Sequence, residues 1–339
     1  MKKISVFLIL SLATITFFTS CEKKGEPRKI FDDGLTPVER YGDLQVIGTN
    51  LCDKDGNPIQ LCGMSSHGLQ WYGKYANKNI LAWLQKDFNA DLWRAALYST
   101  SYVTDKSLFF KVRDSIEAAI DLGMYVIVDW HVIDEHDPML YSNQAAEFFE
   151  QIASTYGDYP NIIYEICNEP NTDRVTWEGN IKPYAEKIIP VIRKYCDNII
   201  VVGTPKWSSD LLPAADNQIT NASNIMYTFH FYAGTHGKDS RKQIDKAIKK
   251  GLPIFVTEWG TTQASGDGGV FEKETLEWTN FLSSRKISWA NWSVNNKGED
   301  SGVLKYNKDK QAEGGWALDD LQPSGLLVRK ILRGETEEK

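Results

Sequence analysis

Two glutamates, Glu169 and Glu258, have the surroundings of reactive carboxyl groups. Glu169 lies in Ile-Cys-Asn-Glu-Pro at the end of one apolar run, and Glu258 lies in Val-Thr-Glu-Trp-Gly directly after another. Two carboxyl groups can share acid and base work, since one donates a proton to a leaving oxygen while the other meets a developing positive charge. Either glutamate alone would more simply cap a helix or pair with a basic residue. The elements that position the two residues therefore decide whether they act as a pair.

Short apolar runs alternate with amphipathic segments along the chain after Tyr41. Helical periodicity is clear at residues 109–122 and 182–194, and residues 316–332 are expected to supply a closing helix. Repeated β-then-α units predict an α/β fold, a single-domain (β/α)8 TIM barrel. A doubly wound sheet is the alternative, but its GxGxxG motif is absent after the first strand. The runs cover residues 60–65, 92–95, 125–130, 162–167, 199–203, 225–230, 253–257 and 288–292.

Polar and aromatic residues lie at or near the carboxyl end of every run, which is where such barrels gather their active sites. Each one alone could be a satisfied core group, but eight such placements at one mouth favour a site. Carboxyl groups on strands four and seven fit glycoside hydrolysis, in which retaining enzymes hold the pair about 5–5.5 Å apart. The residues are His67, Arg94, His131, Asn168 with Glu169, Trp207, His230 with Tyr232, Glu258 and Trp292.

Several motifs in order resemble glycoside hydrolase family 5 of the clan A barrels, and most closely its bacterial endo-β-1,4-glucanase branch. They include GMSSHGLQWY at 63–72, WRAA at 93–96, VDWH at 128–131 and IYEICNEP at 163–170. HFYAGTH at 230–236, TEWG at 257–260 and SWANW at 288–292 continue the series. The resemblance extends from about residue 41 to 333, and it implies hydrolysis of cellulose or related soluble β-glucans.

The resemblance also implies a division of labour between the two glutamates. Glu258 would attack the anomeric carbon, while Glu169 would protonate the departing chain and later activate water, with net retention. Arg94 and Tyr232 match the family's hydrogen-bond donors to the nucleophile. A protonated Glu169 beside an ionised Glu258 should have a raised pKa.

Five further residues match the family's cleavage subsite. Asn168 would bind the sugar 2-hydroxyl group, and Trp292 would be the stacking platform. His131, His230 and Tyr98 would line the same subsite, with His230 close to the acid/base.

The resemblance places the remaining contacts on either side of the scissile bond. Trp71, with His67, would hold glucosyl units on the non-reducing side, and Trp207 would be a platform on the leaving-group side. Lys297 and Glu299 match positions that make distal hydrogen bonds.

Composition limits the partners that the chain could have. The net charge is −7, which argues against a nucleic-acid partner. No cofactor or metal is expected, because only five histidines exist and the first strand ends in Ser-Ser-His rather than the His-x-His of zinc hydrolases. A β-mannanase, a xyloglucanase or mixed-linkage glucanase, and a catalytically dead surface glycan-binding lipoprotein remain open alternatives.

The amino-terminal segment predicts export. Residues 1–20 combine a basic start, an apolar run and small residues, as in a secretory signal peptide. Cys21 directly after them suggests lipidation, although an ordinary signal peptide with an incidental cysteine is the alternative. Residues 21–39 are expected to be a lipid-anchored tether and residues 40–335 the catalytic barrel. We expect a monomer secreted across the inner membrane and anchored in the outer membrane, at its periplasmic face or the cell surface.

Three local features depart from the expected pattern or leave a choice open. Cys52 and Cys62 flank a turn, so a disulfide between them is possible. Cys167 stands where the branch usually has a small residue. Residues 134–137 form an acidic version of the loop after strand three, which could tune substrate choice, although we interpret it as solvated.

Overall fold

The structure is a computed structural model and describes residue 28 and residues 30–306 and 312–336. A hairpin of β1 (Gln45–Ile47) and β2 (Asn50–Cys52) precedes a closed barrel of eight parallel strands. Pairing of the last strand with the first, through Trp289 and Cys62, closes the barrel. The predicted (β/α)8 architecture is confirmed. The barrel strands are β3 (Cys62–Ser66), β4 (Leu92–Tyr98), β5 (Tyr125–His131), β6 (Ile162–Glu165), β7 (Ile200–Val202), β8 (Ile225–Tyr232), β9 (Ile254–Gly260) and β10 (Trp289–Val294).

Helices surround the barrel and cover its outer face. Their apolar faces meet the outward side chains of the strands in one large core, so the strands are buried on both sides and carry almost continuous apolar runs. The helices are α1 (Pro37–Tyr41), α2 (Leu69–Tyr72), α3 (Lys78–Phe88), α4 (Ser99–Thr104), α5 (Leu108–Leu122), α6 (Ser142–Tyr156), α7 (Lys182–Ile192), α8 (Pro205–Ser208), α9 (Leu212–Asp216), α10 (Lys238–Lys249), α11 (Glu272–Ser283) and α12 (Pro323–Leu332).

The interior of the barrel changes character from its amino-terminal to its carboxyl-terminal end. Leu92, Ile127, Ile163 and Phe255 form part of an apolar plug in the lower interior. Side chains two positions further along a strand face the same side. The layer above the plug is therefore polar, and it contains Arg94, Asp129, Glu165 and Thr257, all fully buried.

The closing helix is shorter than predicted. It begins at Pro323 rather than near residue 316, and Gln322 before it is extended. A proline at the first helical position fixes the start of the helix, because the residue before a proline disfavours helical backbone.

The amino-terminal tether and the cysteines can be compared with the structure only in part. Residues 1–20 and Cys21 lie outside the described residues. The predicted boundary near residue 40 falls inside α1, and Arg28 already contacts the barrel through Asp91 at 2.6 Å. Cys52 and Cys62 are both buried free thiols, so the disulfide that the sequence left possible is not formed.

Candidate active site

Arg94 occupies the centre of the polar layer and has no exposed surface. Its Nε donates to Glu165 at 2.7 Å, and its Nη1 donates to Glu258 at 2.9 Å. Its Nη2 lies 3.0 Å from Asp129 and also donates to the Asn168 side chain at 2.7 Å. One guanidinium group thus holds acidic side chains from three strands in fixed positions, which its planar set of donors suits.

Glu258 lies on β9 with both carboxylate oxygens engaged. Arg94 donates to Oε2, and the hydroxyl group of Tyr232 donates to Oε1 at 2.7 Å. Hydrogen bonds from a cation and a phenol favour the ionised carboxylate and fix its orientation. Both residues that the resemblance assigned to this role contact Glu258.

Glu169 lies beyond the end of β6, on a segment that bends toward β5. Its backbone N–H donates to the carbonyl of Val132 at 3.0 Å, and its Oε1 lies 2.8 Å from Nδ1 of His230. Burial raises the pKa of Glu169 to about 8, and the nearby Asp129 and Glu165 act in the same direction against Arg94. Glu169 is therefore protonated at neutral pH, as a general acid must be.

The two glutamates meet at the mouth of the barrel. A carboxyl oxygen of Glu169 and one of Glu258 lie within 4.8 Å of each other. Inverting enzymes need about 6.5–9.5 Å between the carboxyl groups to admit a water molecule, so this spacing has the geometry of direct attack.

Asn168, His131 and Asp129 form a chain whose hydrogen positions follow from one another. The Asn168 carbonyl oxygen accepts from Arg94, so its amide nitrogen faces Nε2 of His131 at 3.2 Å. That nitrogen of His131 must accept, and its Nδ1–H therefore donates to Asp129 at 2.6 Å. Burial also lowers the pKa of His131 well below its usual value, which agrees with a neutral ring.

A cleft of about 650 Å³ lies over the two glutamates. Trp71 is 60% exposed and Trp207 is 52% exposed, whereas Trp292 is nearly buried. Of the predicted site residues, Arg94 and Asn168 lie beneath the cleft and the others line it. The lining set is His67, Trp71, Tyr98, His131, Glu169, Trp207, His230, Tyr232, Glu258, Trp292, Lys297 and Glu299.

The predicted non-reducing side is built from aromatic rings, and the two residues predicted to make distal hydrogen bonds form an ion pair. His67 packs against Trp71 and Trp292, with ring centroids 5.8 Å and 5.0 Å away. Its Nδ1 accepts from the backbone N–H of Gly68, so Nε2 carries the hydrogen. Lys297 and Glu299 form an ion pair at the edge of the cleft.

Trp207 stands on a left-handed turn. Lys206, Trp207 and Ser208 have φ values of 56°, 57° and 52°, which residues with a Cβ rarely adopt. The Ser208 hydroxyl donates to the carbonyl of Asn168 at 2.5 Å, and the Trp207 N–H donates to the carbonyl of Pro170 at 3.1 Å. The turn is therefore attached directly to the segment that carries Glu169.

The acidic loop after β5 combines exposed and partly buried residues. Asp134 and His136 are exposed, as the solvated interpretation expects, whereas Glu135 and Asp137 are half-buried. Glu135 hydrogen-bonds to Ser99, and Nδ1 of His136 lies 2.5 Å from the Asn171 side chain. The Asn171 amide group also donates to the carbonyl of Glu169 at 2.8 Å. The loop thus supports the backbone next to Glu169, while exposed Asp134 lines the cleft.

Sequence reasoning assigned no role to Asp129, Glu165 or Thr257. The structure places Asp129 and Glu165 on Arg94, and the Thr257 hydroxyl donates to Glu165 at 2.6 Å. The sequence feature that could have revealed Asp129 and Glu165 is a charged residue inside an apolar strand, in Val-Asp-Trp and Tyr-Glu-Ile. Such groups are expensive to bury unless they are paired.

Among the described residues, Glu169, His230 and Glu258 are the group whose ligand atoms could approach one ion. Glu169 and His230 already bond to each other, and Glu258 is bonded to the cation of Arg94. These contacts suit proton chemistry better than metal binding. The expectation that no metal is needed stays a prediction.

Comparison with known proteins agrees with this geometry. The family model Cellulase (glycosyl hydrolase family 5) matches residues 52–298. Endoglucanase A of Evansella cellulosilytica is 46% identical over 98% of this chain and 67% of its own length. Endoglucanase 5 of Pectobacterium carotovorum is 47% identical over 88% of this chain, and the chain spans only 59% of that protein.

A solved structure gives the same result for the fold. The catalytic domain of Thermobifida fusca endoglucanase Cel5A, in complex with cellotetraose, superposes with a TM-score of 0.83 at 38% identity. The superposition covers 88% of this chain and all of that domain. Because the family model matches most of the barrel and such relatives cover most of the sequence, the chain belongs to glycosyl hydrolase family 5.

Proposed function

We propose that the chain is a retaining endo-β-1,4-glucanase that hydrolyses cellulose or related soluble β-glucans by double displacement. The observation that carries this proposal is the approach of the Glu169 and Glu258 carboxyl oxygens to within 4.8 Å at the floor of an open cleft. The names of the relatives, endoglucanases of 46% and 47% identity, support the β-glucan as substrate.

In the first step a carboxylate oxygen of Glu258 attacks the anomeric carbon of the sugar above it. The bond from that carbon to the glycosidic oxygen breaks, and Glu169 gives its proton to the departing oxygen. The products are a glycosyl ester on Glu258 and a shortened chain with a free hydroxyl group. Arg94 and Tyr232 hold the attacking carboxylate in place through their bonds to Oε2 and Oε1.

In the second step the ionised Glu169 takes a proton from water. The water oxygen attacks the anomeric carbon, the ester bond to Glu258 breaks, and Glu169 is protonated again. Two inversions at one carbon leave its configuration unchanged. The raised pKa of Glu169 suits both roles, since a group with a pKa of about 8 is an effective base once it has lost its proton.

Proton NMR of freshly cleaved cello-oligosaccharide tests the mechanism. We expect the β-anomer to appear first and the α-anomer to grow in by mutarotation. An initial α-anomer would contradict direct attack by Glu258.

A panel of polymers tests the substrate. Reducing sugar should be released fastest from carboxymethylcellulose or barley β-glucan, with slower release from xyloglucan and mannan. An early fall in viscosity would show cleavage within chains. Faster hydrolysis of mannan would favour the mannanase alternative, and binding without release would favour the glycan-binding lipoprotein.

We also propose that the protein is a lipoprotein exported through residues 1–20 and acylated at Cys21, ending in the outer membrane. The proposal is supported by the basic start, the apolar run and the small residues before Cys21. Within the described residues, no helix is both long and apolar enough to cross a bilayer. Palmitate labelling in a host with the lipoprotein pathway tests the acylation, because Cys21→Ser should lose the label. The expected monomer should elute from a size-exclusion column at the mass of one chain.

A further inference from the structure

A continuous chain of hydrogen bonds leads from Glu169 down into the polar layer of the barrel. Oε1 of Glu169 lies 2.8 Å from Nδ1 of His230, and Nε2 of the same ring lies 2.9 Å from the Thr257 hydroxyl oxygen. That oxygen lies 2.6 Å from Oε1 of Glu165. Each link has one hydrogen to place, so the direction of one link decides the next.

The direction is set at the Glu165 end. Arg94 Nε donates to one oxygen of Glu165 at 2.7 Å, and Arg94 Nη2 donates to the other at 3.1 Å. Burial raises the pKa of Glu165, but a fork of two guanidinium donors on both oxygens keeps the group a carboxylate. An ionised carboxyl group can only accept, so the Thr257 hydroxyl donates to it.

The Thr257 hydroxyl has a single hydrogen and has now used it. Its oxygen must accept from its other two neighbours, Nε2 of His230 and the Thr228 hydroxyl 2.6 Å away. Thr228 can donate, because its own oxygen accepts from the Thr257 backbone N–H at 3.2 Å. Nε2 of His230 therefore carries a hydrogen.

His230 has no second hydrogen to give. Burial lowers its pKa to about 4, so the ring is neutral at the pH of most assays. With the hydrogen on Nε2, Nδ1 presents a lone pair to Glu169 across 2.8 Å. A carboxylate facing a lone pair at that distance is repelled, so the carboxyl group must bring the proton.

We propose that Thr257 and Glu165 are positioning residues that fix the tautomer of His230 and thereby hold the catalytic proton on Glu169 in the free enzyme. The inference rests on the proposed function. It also explains the second step, because the Glu169 carboxylate left after proton donation faces the lone pair on Nδ1 and recovers a proton readily. The charged and titratable groups facing Glu169 are Arg94, Tyr98, Asp129, Glu165, His230, Tyr232 and Glu258.

Thr257→Val removes the hydroxyl group with little change in volume and tests the proposal. His230 could then place its hydrogen on Nδ1 and stabilise the Glu169 carboxylate. We expect the basic limb of kcat/KM on a β-glucan to move down by about one pH unit, a roughly tenfold loss above the shifted limb. Cleavage of an aryl cellobioside with a dinitrophenolate leaving group needs no general acid. The kcat/KM of the variant on that substrate should therefore stay close to the wild-type value.

Two variants serve as comparisons. Thr257→Ser keeps the hydroxyl group and should keep the basic limb of the wild type. Thr279→Val removes a buried hydroxyl group from α11 and should leave the pH profile unchanged. Within the part of the chain that the structure describes, this hydroxyl bonds only to carbonyls of its own helix. An unshifted limb in folded Thr257→Val, or a shift equal in both substrates, would overturn the proposal.

A second measurement does not depend on activity. The pKa of Glu169, followed by NMR of carboxyl-labelled protein in Thr257→Val and Thr257→Ser, should fall only in the valine variant. If both variants titrate like the wild type, the positioning role is wrong even if the protein is an active glucanase. If wild type cleaves no β-glucan while the pKa still falls, the proposed function fails and the hydrogen-bond chain stands.

Discussion

Nη1 of Arg94 donates to Oε2 of Glu258 at 2.9 Å, and the remaining nitrogens of the same guanidinium group contact Glu165, Asn168 and Asp129. The Glu258 carboxylate is thus held by a cation that is itself fixed by two further acidic side chains. None of the three acidic partners is more than slightly exposed, so bulk water does not screen their interactions with Arg94.

Replacing Arg94 should therefore cost both stability and turnover. In Arg94→Lys a single ammonium group cannot reach all the partners, and buried carboxylates lose their counterion. We expect the free energy of unfolding to fall by about 3–5 kcal/mol and kcat/KM to fall by at least about 100-fold. Urea denaturation and polymer hydrolysis measure the two effects. Arg329→Lys, which alters a peripheral fork to Asp87, is the matched control and should cost little in either.

Glu258→Gln keeps the shape of the proposed nucleophile but removes its charge. Turnover should fall by about four orders of magnitude or more, because no covalent intermediate can form. Affinity for cellotetraose, measured by calorimetry, should stay within a few-fold of wild type, since the cleft residues that hold the sugar are unchanged. Substantial activity in this variant would show that another group is the nucleophile.

Glu169→Ala removes the proposed acid/base while leaving Glu258 free to attack. Hydrolysis of polymer should fall sharply, whereas an aryl cellobioside with a good leaving group should still form the glycosyl intermediate. Azide should then restore part of the turnover and yield a β-glycosyl azide, because a small anion can occupy the space of the lost carboxyl group. Failure of azide to form that product would leave Glu169 without support as the acid/base.

Ser208→Ala should loosen the left-handed turn under Trp207. Its hydroxyl bonds to the Asn168 carbonyl, and residues in this backbone region cost roughly 1–3 kcal/mol each and persist only where the surroundings hold them. We expect a loss of about 1–3 kcal/mol in stability and a several-fold rise in KM for long chains, with a smaller change for cellobiosides. Ser115→Ala, which removes a buried hydroxyl bonded to Trp93 away from the cleft, should lower stability without changing KM.

The raised pKa of Glu169 predicts the direction of two pH effects. Activity on polymer should decline as the pH rises through about 8, because the general acid loses its proton there. The folded state also binds this proton more tightly than the unfolded chain, so the free energy of unfolding should fall as the pH rises from the ordinary carboxyl pKa toward 8. In Glu169→Gln the free energy of unfolding should depend less steeply on pH over this range. Asp129, whose pKa burial raises to about 8, and Glu135, whose pKa burial also raises, should contribute to the remaining pH dependence of stability.

Much of this architecture was accessible from the sequence because it depends on local patterns. Each of the eight apolar runs is a barrel strand, and the residues that follow them, from His67 to Trp292, line the cleft or lie beneath it. Parallel strands point their carboxyl ends at one mouth, so identifying the strands was enough to group the residues. Pro323 shows the limit of periodicity, since the predicted helix ran through Gln322, whose backbone is extended because a proline follows it.

The sequence by itself determined which residues could react, because residue type and position along a strand are properties of the chain alone. Only the tertiary structure decided how they react. The approach of the Glu169 and Glu258 carboxyl oxygens to within 4.8 Å, the sharing of Arg94, and the chain from Glu165 through Thr257 to His230 all depend on different strands coming together. Those relationships depend on barrel closure, stagger and the bend after β6, where a shift of one residue would turn each side chain to the other face. Thr257 is an example. Its residue type gives no sign of a role, but its position inside the barrel places its hydroxyl group in hydrogen-bond contact with His230 and Glu165.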